Sequence, residues 1–391
     1  MLRYFSADFI FPVSGAPIKD GIVALKLDGE IAGVYPAKTE KSIKEPIERC
    51  NGIIVPGFIN SHCHLELSHM LGKIPRAQGL IPFITSVISH RKVDDDLVSE
   101  AMVKHDRLMF KNGIVAVGDI SNHGLSKIIK QKSRIYYHTF IELLGFDPGK
   151  AETVFNKALE LKSDFAPLSA SIVPHAPYSV SEKLFGLLRD YSERHENLCS
   201  MHNQESQAET DFFMNKSGGF PDFYKMINLD INFLKPRYKS SIQSILPLLS
   251  ANQKTLLVHN TYTSSEDIAS VYASGKGINW CFCPNANLYI EGRIPDINHF
   301  LQDDLKITIG TDSLASNDKL CVLSELKAIS KCFSELPLAK TIRWATLNGA
   351  EFLGIDDRFG SIEVGKSPGL NLIENVKGAE LTEYSTIKKL I

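Results

Sequence analysis

From residue 53 onward the chain repeats one pattern, a short apolar segment followed by a longer stretch with apolar residues at helical spacing. Eight such segments are readable, at 53–59, 114–119, 134–141, 169–174, 198–202, 255–259, 277–283 and 306–310. Strands that alternate with helices pair in parallel through right-handed crossovers. Eight strand and helix pairs within ~300 residues predict a closed (β/α)8 TIM barrel rather than an open sheet. The helices between them carry spaced apolar positions, as in the segment from Glu182 to Tyr191.

The rest of the chain follows a different grammar. Two apolar runs, 21–27 and 30–35, flank Asp28-Gly29, a strong short hairpin signal. After Leu353 turns and strands return, punctuated by Gly354, Gly360, Gly365 and Gly369. The 391 residues exceed the ~250 of a typical barrel. The expectation is an α/β chain in two parts: a barrel over 55–358, and a small β-rich, sandwich-like domain that both chain ends form, over 1–54 and 359–391.

Bulk properties restrict the partners. A formal charge of −2, with Lys and Arg scattered, provides no electrostatic footprint for nucleic acid or an anionic membrane. No stretch approaches the ~20 apolar residues of a membrane span, and the first residues lack the apolar core of a secretory signal. A cytoplasmic protein with a small-molecule substrate is expected. A symmetric homo-oligomer is compatible with a barrel, but no interface can be named. The seven cysteines lack framework spacing and read as reduced thiols.

Ligand-type residues cluster at the predicted strand ends. His62 and His64 follow the first strand with one residue between them, so extended backbone turns both imidazoles to one side. Two imidazoles suit zinc or iron(II), although a histidine pair alone also fits a structural role. His202 closes the fifth strand, His259 closes the sixth, and Asp312 follows the eighth. A satisfied core histidine could explain any one of them but does not readily explain five on the C-terminal rim, where barrel enzymes build active sites. Glu205, three residues beyond His202, can reach this centre without binding the metal. A bound metal makes water acidic, and a carboxylate can then carry its proton to the substrate.

These residues resemble, position by position, the deaminase and chlorohydrolase branch of the amidohydrolase superfamily, over nearly the whole chain. The matching segments are Pro56-Gly-Phe-Ile-Asn-Ser-His-Cys-His64, Met201-His-Asn-Gln-Glu-Ser206, Val258-His259, Gly310-Thr-Asp-Ser313 and Asn348-Gly-Ala350. The resemblance implies His62, His64, His202 and Asp312 as metal ligands, Glu205 as proton shuttle and His259 as the polar group assisting the attacking water. Two-metal members use a carboxylated lysine on strand four. Residues 169–174 contain no lysine, and Lys162 precedes them, so one divalent ion, zinc or iron(II), is implied.

Leu65-Glu-Leu-Ser68, Pro174-His-Ala-Pro-Tyr-Ser179, Gly310-Thr-Asp-Ser-Leu-Ala-Ser-Asn317 and Pro368-Gly-Leu370 look like the aminodeoxyfutalosine deaminases. These replace the 6-amino group of an adenine nucleoside with oxygen during menaquinone synthesis. Asn203-Gln204 depart from that pattern, in which a small residue more often precedes the shuttle Glu. His175 and Glu66 are candidates for contacting the substrate, and Glu66 alternatively for supporting a ligand. Arg76, Arg91 and Arg293 could meet a distal carboxylate or form surface ion pairs. Deamination of guanine, cytosine or S-adenosylhomocysteine-like substrates, or dehalogenation of a triazine, would use the same ligands. An inactive scaffold relative would not need them intact.

Overall fold

The computed structural model describes residues 2–237, 239–302 and 305–391. Five strands precede the barrel: β1 (Arg3–Ile10), β2 (Ile18–Lys19), β3 (Ile22–Leu25), β4 (Ile31–Tyr35) and β5 (Ile47–Pro56). Eight more follow: β6 (Phe58–Cys63), β7 (Ile114–Ser121), β8 (Tyr136–Leu143), β9 (Ser169–Pro174), β10 (Cys199–Asn203), β11 (Thr255–His259), β12 (Ile278–Phe282) and β13 (Lys306–Ile309). The chain closes with β14 (Leu370–Glu374) and β15 (Thr386–Lys389).

The eight middle strands pair in parallel as two four-stranded ladders, β6-β7-β8-β9 and β10-β11-β12-β13. Hydrogen bonds cross both seams between the ladders. At one, the backbone N–H of His202 donates to the carbonyl of His175 at 2.9 Å. At the other, the N–H groups of Thr311 and Asp312 both reach the His62 carbonyl, at 3.0 and 3.1 Å. The buried Asn60 amide adds a bond to Thr311 Oγ1 at 2.8 Å. Both seams therefore run through the segments that carry candidate site residues.

Both chain ends lie in one seven-stranded sheet ordered β15-β14-β5-β1-β3-β4, with β2 on β1. The expected hairpin is present: β3 and β4 pair antiparallel, and Gly29 between them has φ 88. The apolar run 53–59, however, is not one barrel strand. Its first half lies in β5, paired with β1 and β14, and only Phe58 onward enters the barrel. Gly57 forms the bend, because a Cβ there would lie 2.4 Å from Val115 and 2.5 Å from the Pro368 carbonyl. Both halves are buried throughout, so no change of polarity marks the join.

Aromatic packing fills one side of the barrel layer. Trp280 and Phe282 are fully buried and meet Phe300 edge-on, at 5.1 and 5.0 Å between ring centres. Burying a side chain of this size contributes about 2–3 kcal/mol. All seven cysteines are free thiols. Among the described residues no helix is long and apolar enough to cross a membrane.

Candidate active site

His62 and His64 lie at the C-terminal end of β6, His202 in β10, and Asp312 just past β13. Three segments distant in sequence thus deliver four side chains to one point. Their ligand-type atoms all lie within 4.8 Å of one another. The Nε2 of His64 is 3.1 Å from that of His62, 3.3 Å from that of His202 and 3.3 Å from Asp312 Oδ1. His202 Nδ1 donates to the His175 carbonyl at 2.9 Å, which leaves its Nε2 with a lone pair. Burial pushes His64 down to about 4 and drives His62 and His202 down as well, so the imidazoles are neutral near pH 7. Burial alone would raise Asp312, but hydrogen bonding to His62 and the charges of nearby imidazoles hold it well below the usual carboxylate range. Neutral nitrogens and one carboxylate, crowded together at the end of a barrel, fit a divalent cation of the zinc or iron(II) type.

Backbone strain accompanies this geometry. Asp312 has φ 56 and His259 has φ 75, both left-handed, a region costly for side chains other than Gly. The Ser316 hydroxyl donates to Asp312 Oδ2. His259 is clamped twice by the buried Asn287, through Nδ1 at 2.7 Å and through its carbonyl at 3.4 Å.

Glu205 sits in the turn between β10 and the helix Gln207–Asn215. Its Oε1 is 3.6 Å from His259 Nε2. Burial raises its carboxyl to about 7, against the lowering influence of His259. For His259, burial alone would lower the pKa, but Glu205 and Asp312 raise it overall. A carboxyl poised near neutrality can both take and give a proton at working pH.

Asn203 and Gln204 point away from the cavity and lock this turn. Gln204 has φ 45; its amide donates to Asp267 at 2.7 Å and its oxygen accepts from Thr263 at 2.8 Å. The buried Glu209 accepts the backbone N–H groups of Gln204 and Glu205, at 3.0 and 3.1 Å. The Ser206-x-x-Glu209 spacing of a capping box is the sequence signal that could have revealed Glu209.

Above the four ligand-type residues opens a cavity of about 370 Å³. Its walls are mostly apolar, with Leu80, Phe83, Phe146, Tyr178, Phe223 and Tyr224 among them. His175 lines it, as do Glu205 and His259. Burial pushes His175 down to about 4, and its Nδ1 pairs with Ser179 Oγ at 2.7 Å. Glu66 does not line the cavity. Its two oxygens accept the backbone N–H of Asn122, at 3.0 and 3.1 Å, and burial raises it to about 8. Besides Glu205 and Asp312, the cavity is lined by Glu142, near the end of β8, to which the Asn122 side-chain amide donates at 3.0 Å. Glu66 therefore acts one step back, by fixing Asn122.

One further feature lay outside the expectations. Lys130 and Asp119 form a pair at 2.6 Å with neither side chain exposed, and Asp119 also accepts the N–H of Leu65 at 2.8 Å. This pair anchors the loop that leaves His64. A lysine in the short helix Ser126–Lys132 reads as solvated, so only the packed structure reveals it. Of the three arginines, Arg76 pairs with Asp318 and stacks on Tyr289, and Arg293 stacks on Tyr262. Arg91 alone of the three lines the cavity, exposed, and among the described residues its guanidinium has no ion-pair partner.

Known proteins are similar to this chain in sequence and in shape. An adenosine deaminase of Helicobacter pylori is 28% identical over 328 residues, 82% of this chain and 79% of that protein. The aminodeoxyfutalosine deaminase of Nitratiruptor sp. is 29% identical over 341 residues, 84% and 80% of the two chains. The Helicobacter pylori aminofutalosine deaminase, solved in complex with methylthio-coformycin, superposes with a TM-score of 0.79 at 24% identity, covering 97% of this chain and 93% of that one. An adenosine deaminase from Xanthomonas campestris with bound zinc superposes with a TM-score of 0.73 at 20% identity, covering 95% and 84%. At these identities the two superpositions speak for the fold, a (β/α)8 barrel with an appended β-rich part. The model of the amidohydrolase family matches residues 53–390, the stretch that holds all four ligand-type residues, Glu205, His259 and the cavity, and the chain belongs to that family of hydrolases.

Proposed function

We propose that this chain is a hydrolytic deaminase that removes an exocyclic amine from an adenine-type nucleoside, with aminodeoxyfutalosine, an intermediate of menaquinone synthesis, as its substrate. The observation that carries this reading is the convergence of three imidazoles and a carboxylate beside Glu205, at the floor of an apolar cavity. The names of the two relatives above support the nucleoside class. His62, His64, His202 and Asp312 hold one divalent ion, zinc or iron(II), which supplies the Lewis acidity that makes water nucleophilic near neutral pH. Glu205 takes a proton from the attacking water, passes it to the ring nitrogen beside the reacting carbon, and later helps to protonate the departing amine. His259, held by Asn287, hydrogen-bonds the attacking water or the developing oxygen. His175 contacts the ring from the cavity wall.

Arg91 favours a substrate with a distal carboxylate over a plain nucleoside, because an unpaired cation at an apolar cavity suits an anion. Purified protein should carry one tightly bound metal per chain and release ammonia from aminodeoxyfutalosine faster than from adenosine, S-adenosylhomocysteine, guanine or cytosine. Arg91→Gln should raise KM for aminodeoxyfutalosine by ~10-fold, the value of one charge-assisted bond, and leave KM for adenosine unchanged. Preferred turnover of guanine or a triazine would sink the substrate assignment. A metal content unaffected by His62→Ala and His202→Ala would sink the ligand assignment.

A further inference from the structure

Three neighbouring strands bring a second set of ligand-type side chains together beside the first. Glu142 lies in β8, His175 directly follows β9, and His202 lies in β10. One ligand-type atom from each falls within 4.8 Å of the others. The rings of His175 and His202 are 4.7 Å apart between centres. His202 also belongs to the group of four, so the two groups meet at this residue.

Hydrogen bonds fix which atoms are free to bind an ion. Glu142 Oε2 accepts from the Asn122 amide at 3.0 Å, while Oε1 is buried and has no hydrogen-bond partner among the described residues. A buried carboxylate oxygen without a donor is costly, and a cation beside it offsets that cost. The Ser179 hydroxyl donates to the Ala176 carbonyl at 3.2 Å, so its oxygen accepts from His175 Nδ1 at 2.7 Å. This sets the His175 tautomer and leaves a lone pair on Nε2. His202 is less free. Its Nδ1, 3.9 Å from Glu142 Oε1, keeps its proton on the His175 carbonyl at 2.9 Å, and its Nε2 lies 3.3 Å from that of His64 in the first group.

We propose that Glu142, His175 and His202 form a second, weaker position for a divalent cation, and that zinc in excess over the first ion binds there and inhibits the enzyme. This rests on the reading of the four-residue metal centre above. Two imidazoles and a carboxylate are a donor set that zinc accepts. The position is weaker because, of its three ligands, only Glu142 and His175 are uncommitted. His202 serves it at the expense of the first ion or of the bond to the His175 carbonyl. Inhibition follows from the same sharing: the second ion draws on a ligand of the first and takes His175 away from the substrate.

The test titrates zinc into protein that already holds one ion, with bound metal measured by equilibrium dialysis and ammonia release followed on the same samples. Metal bound per chain should rise from one to two, and turnover should fall as the second ion binds. Dialysis against zinc-free buffer should return the chain to one ion and restore its rate. In Glu142→Gln the Asn122 amide holds the Gln oxygen, so an NH2 group replaces the ligand atom. That variant should stay at one ion and its turnover, whatever its starting level, should not fall with added zinc.

Should Glu142→Gln fail to fold, His175→Asn serves instead and should also stay at one ion. His195→Gln, at an exposed histidine, should still take up two. A second zinc that persists in Glu142→Gln or His175→Asn lies elsewhere on the chain and overturns the proposal. Two bound ions with undiminished turnover overturn it as well. So does a wild type that stays at one ion at every zinc concentration, an outcome that leaves the first centre standing. A first ion that survives both His62→Ala and His202→Ala removes the reading of that centre and this proposal together.

Discussion

Glu205 carries the proton traffic of the proposed reaction, and its surroundings decide the pH at which it can do so. It must be ionised to accept a proton, and burial raises its carboxyl to about 7. The acid limb of kcat/KM should therefore fall below about pH 7, close to the point where an ordinary Glu would still be fully ionised. The charge of His259 lowers the Glu205 pKa, so His259→Ala should move that limb to higher pH as well as slow turnover. A limb that stays in place or moves down would disconnect the two residues. Glu205→Gln keeps the shape but cannot accept the proton. It should lose ~100- to 10,000-fold in turnover while retaining its metal, measured on one preparation. Metal loss matching the activity loss would recast Glu205 as a ligand. These residues were legible in the sequence because their types are chemically restrictive and their places at strand ends follow from the strand pattern. Glu142 was not legible: the strand predicted over 134–141 runs on to Leu143, and those two residues bring a carboxylate to the rim.

At the scale of elements, the join between β13 and β6 ties the fold to the site. Gly310 directly follows β13, and its N–H donates to the Phe282 carbonyl at 2.9 Å. A Cβ at Gly310 would lie 2.9 Å from Cys281 Sγ, Cys283 Sγ and His62 Cβ, closer than real contacts allow. Gly310→Ala should thus cost ~1–3 kcal/mol of stability, as overpacking does in a filled core, and should lower metal content by displacing His62. Thermal unfolding and metal analysis check both effects, and a variant with wild-type values for each would refute the argument. The strand count and the alternation with helices were readable from period and length. The division of the run 53–59 between two sheets was not, because Pro56 and Gly57 bend a segment that is apolar on both faces before and after the bend.

Across the whole molecule, the four ligand-type residues couple metal binding to stability. They arrive from β6, β10 and the end of β13, so an ion holding all four ties both ladders across one seam. Mass action then predicts ~2.7 kcal/mol of added stability at a free metal concentration 100-fold above Kd. Chelation should lower the Tm and zinc or iron(II) should restore it; a Tm indifferent to both would separate the site from the fold. What the sequence by itself determined is the class of the fold, the approximate strands and the chemical identity of the site, since periodicity and side-chain type are local properties. Tertiary structure alone decided which of three arginines faces the cavity, that Glu66 supports Asn122, that Glu142 lines the cavity, and that Lys130 is buried against Asp119. Those outcomes depend on which side chains from distant segments meet and on how much water is excluded where they do. A one-dimensional pattern of polar and apolar residues does not encode either.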